Sequence, residues 1–198
     1  MQKTIFITSF HVLISRNILA TKAFRYLADD PELGLVLFVP KAKSDYFVSA
    51  FGRENVLVEG VSTKVGAIEL FLRNLSLAAV RSKTVKIKRR AEYAARGGIL
   101  RPAAKEIVAF IMAGRGWSLM LIRALDQILA PRSFDAEIKR YQPSVVFLTD
   151  IQNEYDVRLG RAARRAGVPV LGMVRSWDNL TAKGVLRFIP DALLVNNE

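Results

Sequence analysis

The sequence has no cysteine and only one histidine, His11, among its 198 residues. The first absence excludes disulfides, thiolate zinc sites, iron–sulfur clusters and cysteine nucleophiles together. A lone histidine cannot build a histidine-rich metal site, so no metal ligand set is expected. Acidic residues are scarce as well: 18 Asp+Glu stand against 30 Lys+Arg, a net charge of +12. That balance suits an anionic partner, whether nucleic acid, an acidic membrane surface or a phosphate-bearing substrate. No G-x-G-x-x-G follows the first apolar run, and no Walker phosphate loop occurs. Dinucleotide binding of the usual kind and P-loop hydrolysis are therefore disfavoured.

Long hydrophobic runs are missing too. The apolar start around Ile5-Phe6-Ile7 is too short for a signal peptide. With the lack of cysteine, this places the chain in the cytoplasm, at most peripheral at the inner face of the membrane. The longest nearly uncharged stretch, Ile107–Ile122, is interrupted by Gly114-Arg115-Gly116. A spanning helix needs about 20 apolar residues without such a break, so two buried or interfacial helices are expected instead.

Hydrophobic residues make up 51% and charged residues 24%, which is enough to build a core. Six apolar runs read as strands: Thr4–Thr8, Leu35–Val39, Val56–Val58, Val145–Thr149, Val168–Val174 and Ala192–Val195. Several are continuous rather than alternating, as in parallel strands covered on both faces. Ser15 is placed to cap a helix through about Ala28, and Asn153 one through Ala166 that Gly167 ends. Strands alternating with helices predict an α/β fold: a Rossmann-like, doubly wound, mainly parallel sheet of about six strands. Residues 62–141 break the rhythm with helical patterns at 64–80, 82–96, 102–113, 117–129 and 133–141. They read as a helical insertion between strands three and four within a single domain, 1–198.

Ligands of open α/β sheets bind beyond the carboxyl ends of the strands. Three loops are therefore the candidate rim. After strand one come Ser9, His11, Ser15, Arg16 and Asn17; after strand four, Asp150, Gln152, Asn153 and Asp156; after strand five, Arg175, Ser176, Trp177, Asp178, Asn179, Thr181 and Lys183. His11 could take a proton from an acceptor hydroxyl, with Asp150 or Asp156 orienting the ring; it could equally cap backbone groups in a tight loop. Free N–H groups around Ser15–Asn17, with Arg16, would make an anion site, and plain N-capping is the alternative. Trp177 among Asp178, Asn179, Thr181 and Lys183 offers a surface for carbohydrate or nucleoside; a buried Trp amid turn residues is the other reading.

Arg81–Arg101 is the most basic stretch, with Lys86, Lys88, Arg89 and Arg90 at its centre and Glu92 its only acid. It reads as a solvated helix face, as a nucleic-acid contact or as a helix lying on an anionic membrane. Apolar Ile107–Met112 and Trp117–Ile122 beside it favour the membrane over nucleic acid, for which more exposed aromatics are needed.

Two segments also carry a family likeness. Thr8-Ser9-Phe10-His11 with Ile14-Ser15-Arg16-Asn17-Ile18-Leu19, and Val174-Arg175-Ser176-Trp177-Asp178-Asn179-Leu180-Thr181-Ala182-Lys183-Gly184, resemble bacterial and archaeal GT-B-fold glycosyltransferase-like proteins near the CDP-glycerol glycerophosphotransferase and polysaccharide-biosynthesis group. The resemblance implies the N-terminal, acceptor-side domain of such a transferase, acting in cell-surface polysaccharide or glycolipid biosynthesis. It implies a sugar, lipid-linked or polymer acceptor and a C-terminal donor domain with no counterpart after Glu198. It further implies a nucleotide-activated donor (a UDP-sugar or CDP-glycerol) held by that other domain, no cofactor bound by this one, and His11 in the loop where such enzymes often carry their base. A non-catalytic Rossmann-like binding or scaffold protein is the alternative, and a basic nucleic-acid-binding module a third.

Overall fold

A computed structural model describes residues 3–96, 100–176 and 179–195. Six strands form one all-parallel sheet: β1 (Lys3–Thr8), β2 (Leu33–Pro40), β3 (Val56–Val61), β4 (Val145–Leu148), β5 (Val170–Met173) and β6 (Ala192–Leu194). Their spatial order is β3-β2-β1-β4-β5-β6, so the sheet grows outward in both directions from the β1–β4 pair. This is a doubly wound, Rossmann-like sheet, and each strand falls on an apolar run that predicted it. The cause is visible in β2, where Leu35, Val36, Leu37, Phe38 and Val39 are all essentially inaccessible. A strand with both faces covered has no polar position to alternate with. The edge strand β6 is exposed along its length.

The helical crossovers pack on this sheet. The first differs from expectation. Ser15 does not open a helix: α1 (Val12–Ile14) begins three residues earlier, capped by His11, and Ser15–Leu19 continues it as a wider π turn. Ala20 N–H closes that turn on the Ser15 carbonyl at 2.9 Å. The Thr21 hydroxyl then binds the Ile18 carbonyl at 2.7 Å, and Thr21 takes an extended backbone before α2 (Lys22–Ala28). A short polar side chain competing for a helical carbonyl splits what periodicity alone reads as one helix. A crossover helix that no sequence signal had marked, α3 (Ser44–Phe51), follows β2 and turns Phe47 into the core beside Leu19, Phe24 and Leu37.

Between β3 and β4 lie α4 (Ala67–Ala78), α5 (Lys83–Arg96), α6 (Leu100–Met112), α7 (Gly116–Leu129) and α8 (Asp135–Tyr141). After β4 come α9 (Glu154–Arg165), capped by the Asn153 side chain on Tyr155 N–H, and, after β5, the short α10 (Asn179–Ala182). The chain forms two compact units. One is the sheet unit, Met1–Lys64, Pro131–Arg175 and Ile189–Glu198; the other is a helical unit, Val65–Ala130 with Ser176–Phe188. α8 thus belongs with the sheet, and the segment after β5 belongs with the helices.

Within the helical unit, Ala79, Met112 and Ile122 form a small core with Leu75 and Val185. The returning residues 181–188 are held largely through their backbone. Ser76 and Val185 exchange two hydrogen bonds, the Ser82 hydroxyl donates to the Thr181 carbonyl, and Arg123 Nε donates to the Leu186 carbonyl. Gly184 makes this close approach work. Its φ is +101°, and an added Cβ would lie 2.3 Å from Ser76 Oγ and 2.8 Å from the Ser76 carbonyl carbon. Gly184→Ala is expected to remove about 2 kcal/mol of stability through overlap and backbone strain. Gly114→Ala, at φ +72° but with only Arg81 Cδ nearby at 3.6 Å, should show the strain without the overlap and lose about half as much. Urea denaturation of the two variants checks the difference.

Candidate functional site

In a sheet of this order the chain leaves β1 and β4 in opposite directions, which opens a crevice at their carboxyl ends. The floor of that crevice is a buried polar cluster. Thr8 Oγ1 donates to Asp156 Oδ1 at 2.6 Å and accepts from Thr149 N–H at 2.9 Å. Thr149 Oγ1 donates in turn to the Thr8 carbonyl at 2.8 Å. Asp156 Oδ1 also accepts from Asp150 N–H at 3.2 Å, and Asp150 Oδ2 meets Arg175 Nη1 at 3.1 Å. The ends of β1, β4 and β5 are therefore tied by one chain of contacts, and Thr8, Thr149, Asp150 and Asp156 are all buried.

Burial dominates the electrostatics of this cluster. It pushes the Asp156 carboxyl up to about 7, partly opposed by the Thr8 hydroxyl and reinforced by the neighbouring Asp150 charge. Asp156 sits in the first turn of α9, where the helix dipole and a free N–H end tolerate an acid.

The first loop supplies the wall. Ser9 continues the strand by donating its N–H to the Phe38 carbonyl, and its hydroxyl lies 3.2 Å from that of Ser15. Phe10 packs on Tyr155 with ring centroids 4.9 Å apart, joining this loop to the start of α9. His11 Nδ1 accepts from Leu13 N–H at 3.2 Å. In the neutral ring that assigns the proton to Nε2. Arg16 and Asn17 are exposed, with Arg16 Nε donating to Asn17 Oδ1 at 3.1 Å. They sit inside the π turn; the helix starts earlier, at Val12, where His11 takes the Leu13 N–H on Nδ1 and the Ile14 N–H on its carbonyl, so the N–H groups expected to be free at Ser15–Asn17 do not form an open helix start.

The structure thus gathers Ser9, Ser15, Asp150, Asp156 and Arg175 on the sheet unit, with Asn153 as the cap of α9 and Gln152 half-buried in the same turn. The carboxylate of Asp150 engages Arg175, and the imidazole of His11 engages the backbone. Ser176, Asn179, Thr181 and Lys183 belong to the helical unit. Trp177 and Asp178 lie outside the described residues, as do the side chains of Asn179 and Arg89. Lys86, Lys88 and Arg90 are exposed on α5, and Lys88 Nζ reaches the Ala182 carbonyl at 3.3 Å.

Sequence reading missed Thr8, Thr149, Phe10 and Tyr155. A threonine closing both of the strands that flank the reversal of strand order was the available signal. Among the described residues no group of three or more His, Asp or Glu stands in metal-holding geometry. Nor is any single described helix long and apolar enough to cross a membrane, though the bent pair Ala104–Met112 and Gly116–Leu129 has the combined length and composition. In comparisons with known proteins, no family model and no curated protein matches the chain.

Proposed function

We propose that this chain is the acceptor-binding half of a GT-B-type glycosyltransferase or glycerophosphotransferase of cell-surface polymer or glycolipid synthesis. Its role is to hold a hydroxyl- and phosphate-bearing acceptor at the carboxyl edge of the sheet. The observation that carries the reading is that the Ser9–Ser15 pair after β1 and the Asp150–Arg175 pair after β4 and β5 stand at the carboxyl ends of neighbouring strands, where the strand order reverses. Arg175 supports it in particular. Its side chain is about 15% exposed at the crevice, and its Nε is buried without a hydrogen-bond partner. A buried guanidinium nitrogen with donor capacity left over suits an anionic or polyhydroxylated ligand. The nucleotide-activated donor would be held by a different domain.

Titration with glycerol 3-phosphate, hexose phosphates and the parent sugars, followed by thermal unfolding, tests the reading. Binding stabilises by mass action, about 2.7 kcal/mol at a concentration a hundredfold above Kd. Arg175→Lys, which keeps the charge beside Asp150 but removes the unpartnered Nε donor, should weaken a phosphate-bearing ligand about tenfold while leaving the fold intact. Absence of any shift with the whole panel would remove the proposal.

A second reading, a binding protein without transferase activity, is favoured by one specific observation: His11 caps α1 through Nδ1, the nitrogen that accepts in the neutral ring. His11→Asn separates the readings, because Asn caps helices as well but cannot accept a catalytic proton. With the donor domain present, a catalytic His11 predicts at least about a hundredfold loss of acceptor-dependent nucleotide release from CDP-glycerol or a UDP-sugar, at unchanged stability. The capping role predicts unchanged stability and no such release from either form.

A further inference from the structure

The helix α7 is built inside out. Its buried stripe, Ser118, Ile122 and Asp126 at a spacing of four, carries two polar residues: the Ser118 hydroxyl folds back on the Arg115 carbonyl and Asp126 pairs with Arg187. Its outward stripe, Trp117, Met120, Leu121, Ala124 and Ile128, has no charge at all. Met120 is 75% exposed and Ile128 77%. On α6 the outward face is apolar as well: Ala109 and Met112 face in, while Ile107, Phe110 (82% exposed) and Ile111 face out. Helices normally bury such faces, and exposed large apolar residues in this number mark a docking surface.

Charge decides what docks there. The helical unit, Val65–Ala130 with Ser176–Phe188, holds 14 Lys+Arg against 5 Asp+Glu, which is +9 of the chain's +12. Lys83, Lys86 and Arg90 on α5 are exposed, as are Lys105 within α6 and Arg115 at the head of α7. A second copy would bring the same +9 into contact with this one, whereas a surface of anionic lipid headgroups complements it. The two helices are 13 and 14 residues long, and the apolar pair bends by 111° at the glycine-containing break. Neither is long enough to cross a bilayer alone, and helices of this length and amphipathic pattern suit its interface.

We propose that the helical unit docks flat on an anionic membrane leaflet, with the outward faces of α6 and α7 sunk among the acyl chains and the cations of α5, Lys105 and Arg115 at the headgroups. This inference stands independently of the acceptor site on the sheet unit.

Flotation of the full chain with phosphatidylcholine vesicles, with and without one-third phosphatidylglycerol, tests it. The chain should float with the anionic vesicles and be released as salt rises. Phe110→Gln/Met120→Gln/Ile128→Gln, changing exposed positions to a good helix former, should lower partitioning at least about tenfold at unchanged helicity by circular dichroism. Lys86→Glu/Arg90→Glu should do the same for anionic vesicles. Equal binding to neutral vesicles, or insensitivity to either variant, overturns the proposal. So does a dimer in solution that the glutamine variant dissociates, which would assign the face to a second copy.

Discussion

Asp126→Ala is expected to lower the stability of the helical unit by about 3–5 kcal/mol. Asp126 Oδ1 stands 3.2 Å from Arg187 Nη1, with the two side chains 2% and 4% exposed. Removing the carboxylate leaves a guanidinium in a site with almost no access to water, which is the costly half of breaking a buried pair. The pair also fixes the segment 176–188 against α7, next to the Arg123 contact with the Leu186 carbonyl. Local opening there should accompany the loss. Hydrogen exchange at Val185–Phe188 should rise more than at Leu35–Val39 in β2, whose unit contains neither partner. The double variant Asp126→Leu/Arg187→Met removes both charges and keeps the volume. It should recover most of the loss, because a well-packed apolar pair is about as stable as a buried ionic one. If Asp126→Ala and the double variant unfold at the same urea concentration, the charge left behind is not the cause.

What the sequence made legible follows from how locally each feature is determined. Leu35–Val39 declares a doubly covered strand because five successive apolar residues have no other use in an α/β chain. Asn153 declares a cap because its side chain acts on Tyr155, two residues away. The division of helix 15–28 was hidden, since it depends on the Thr21 hydroxyl and N–H both turning to the Ile18 carbonyl. Helix α3 was hidden by its length of eight residues, with Phe47 and Phe51 its only sign of a four-residue repeat. At the site, the three loops were legible as strand ends. The pairing of Asp150 with Arg175 was not: it requires β5 to lie beside β4, and strand order is a property of the whole sheet. Asp156 read as a cleft-lining acid, yet it is 1% exposed beneath the Thr8 hydroxyl. The acidic residue of the rim turned out to be its floor.

That position gives Asp156 a second consequence, a pH dependence of folding opposite to the usual carboxylate pattern. Its carboxyl is raised from 3.8 to about 7 in the folded chain, chiefly because burial disfavours the charged form. In the unfolded chain it ionises near its ordinary value. Below about pH 4 both states hold the proton, and its full contribution to stability is present. Between about pH 4 and 7 only the folded state holds it. Stability therefore falls by about 1.4 kcal/mol per pH unit, for a total of about 4 kcal/mol, and levels off above pH 7. Other carboxylates on the chain titrate as well, so the readout is the difference from Asp156→Asn across pH 4–8 in urea denaturation. Asparagine keeps an oxygen to accept from the Thr8 hydroxyl and the Asp150 N–H but carries no titrating proton. The wild type should match or exceed the variant at pH 4 and fall below it by several kcal/mol at pH 8. A difference that does not change with pH would mean that Asp156 is ionised in the fold, its charge held by the Thr8 hydroxyl and by its neighbours. Thr8→Val tests that arrangement from the other side. Removing the hydroxyl takes away the strongest group opposing the upward push, so the titration of Asp156 should move further up and the falling limb extend to higher pH.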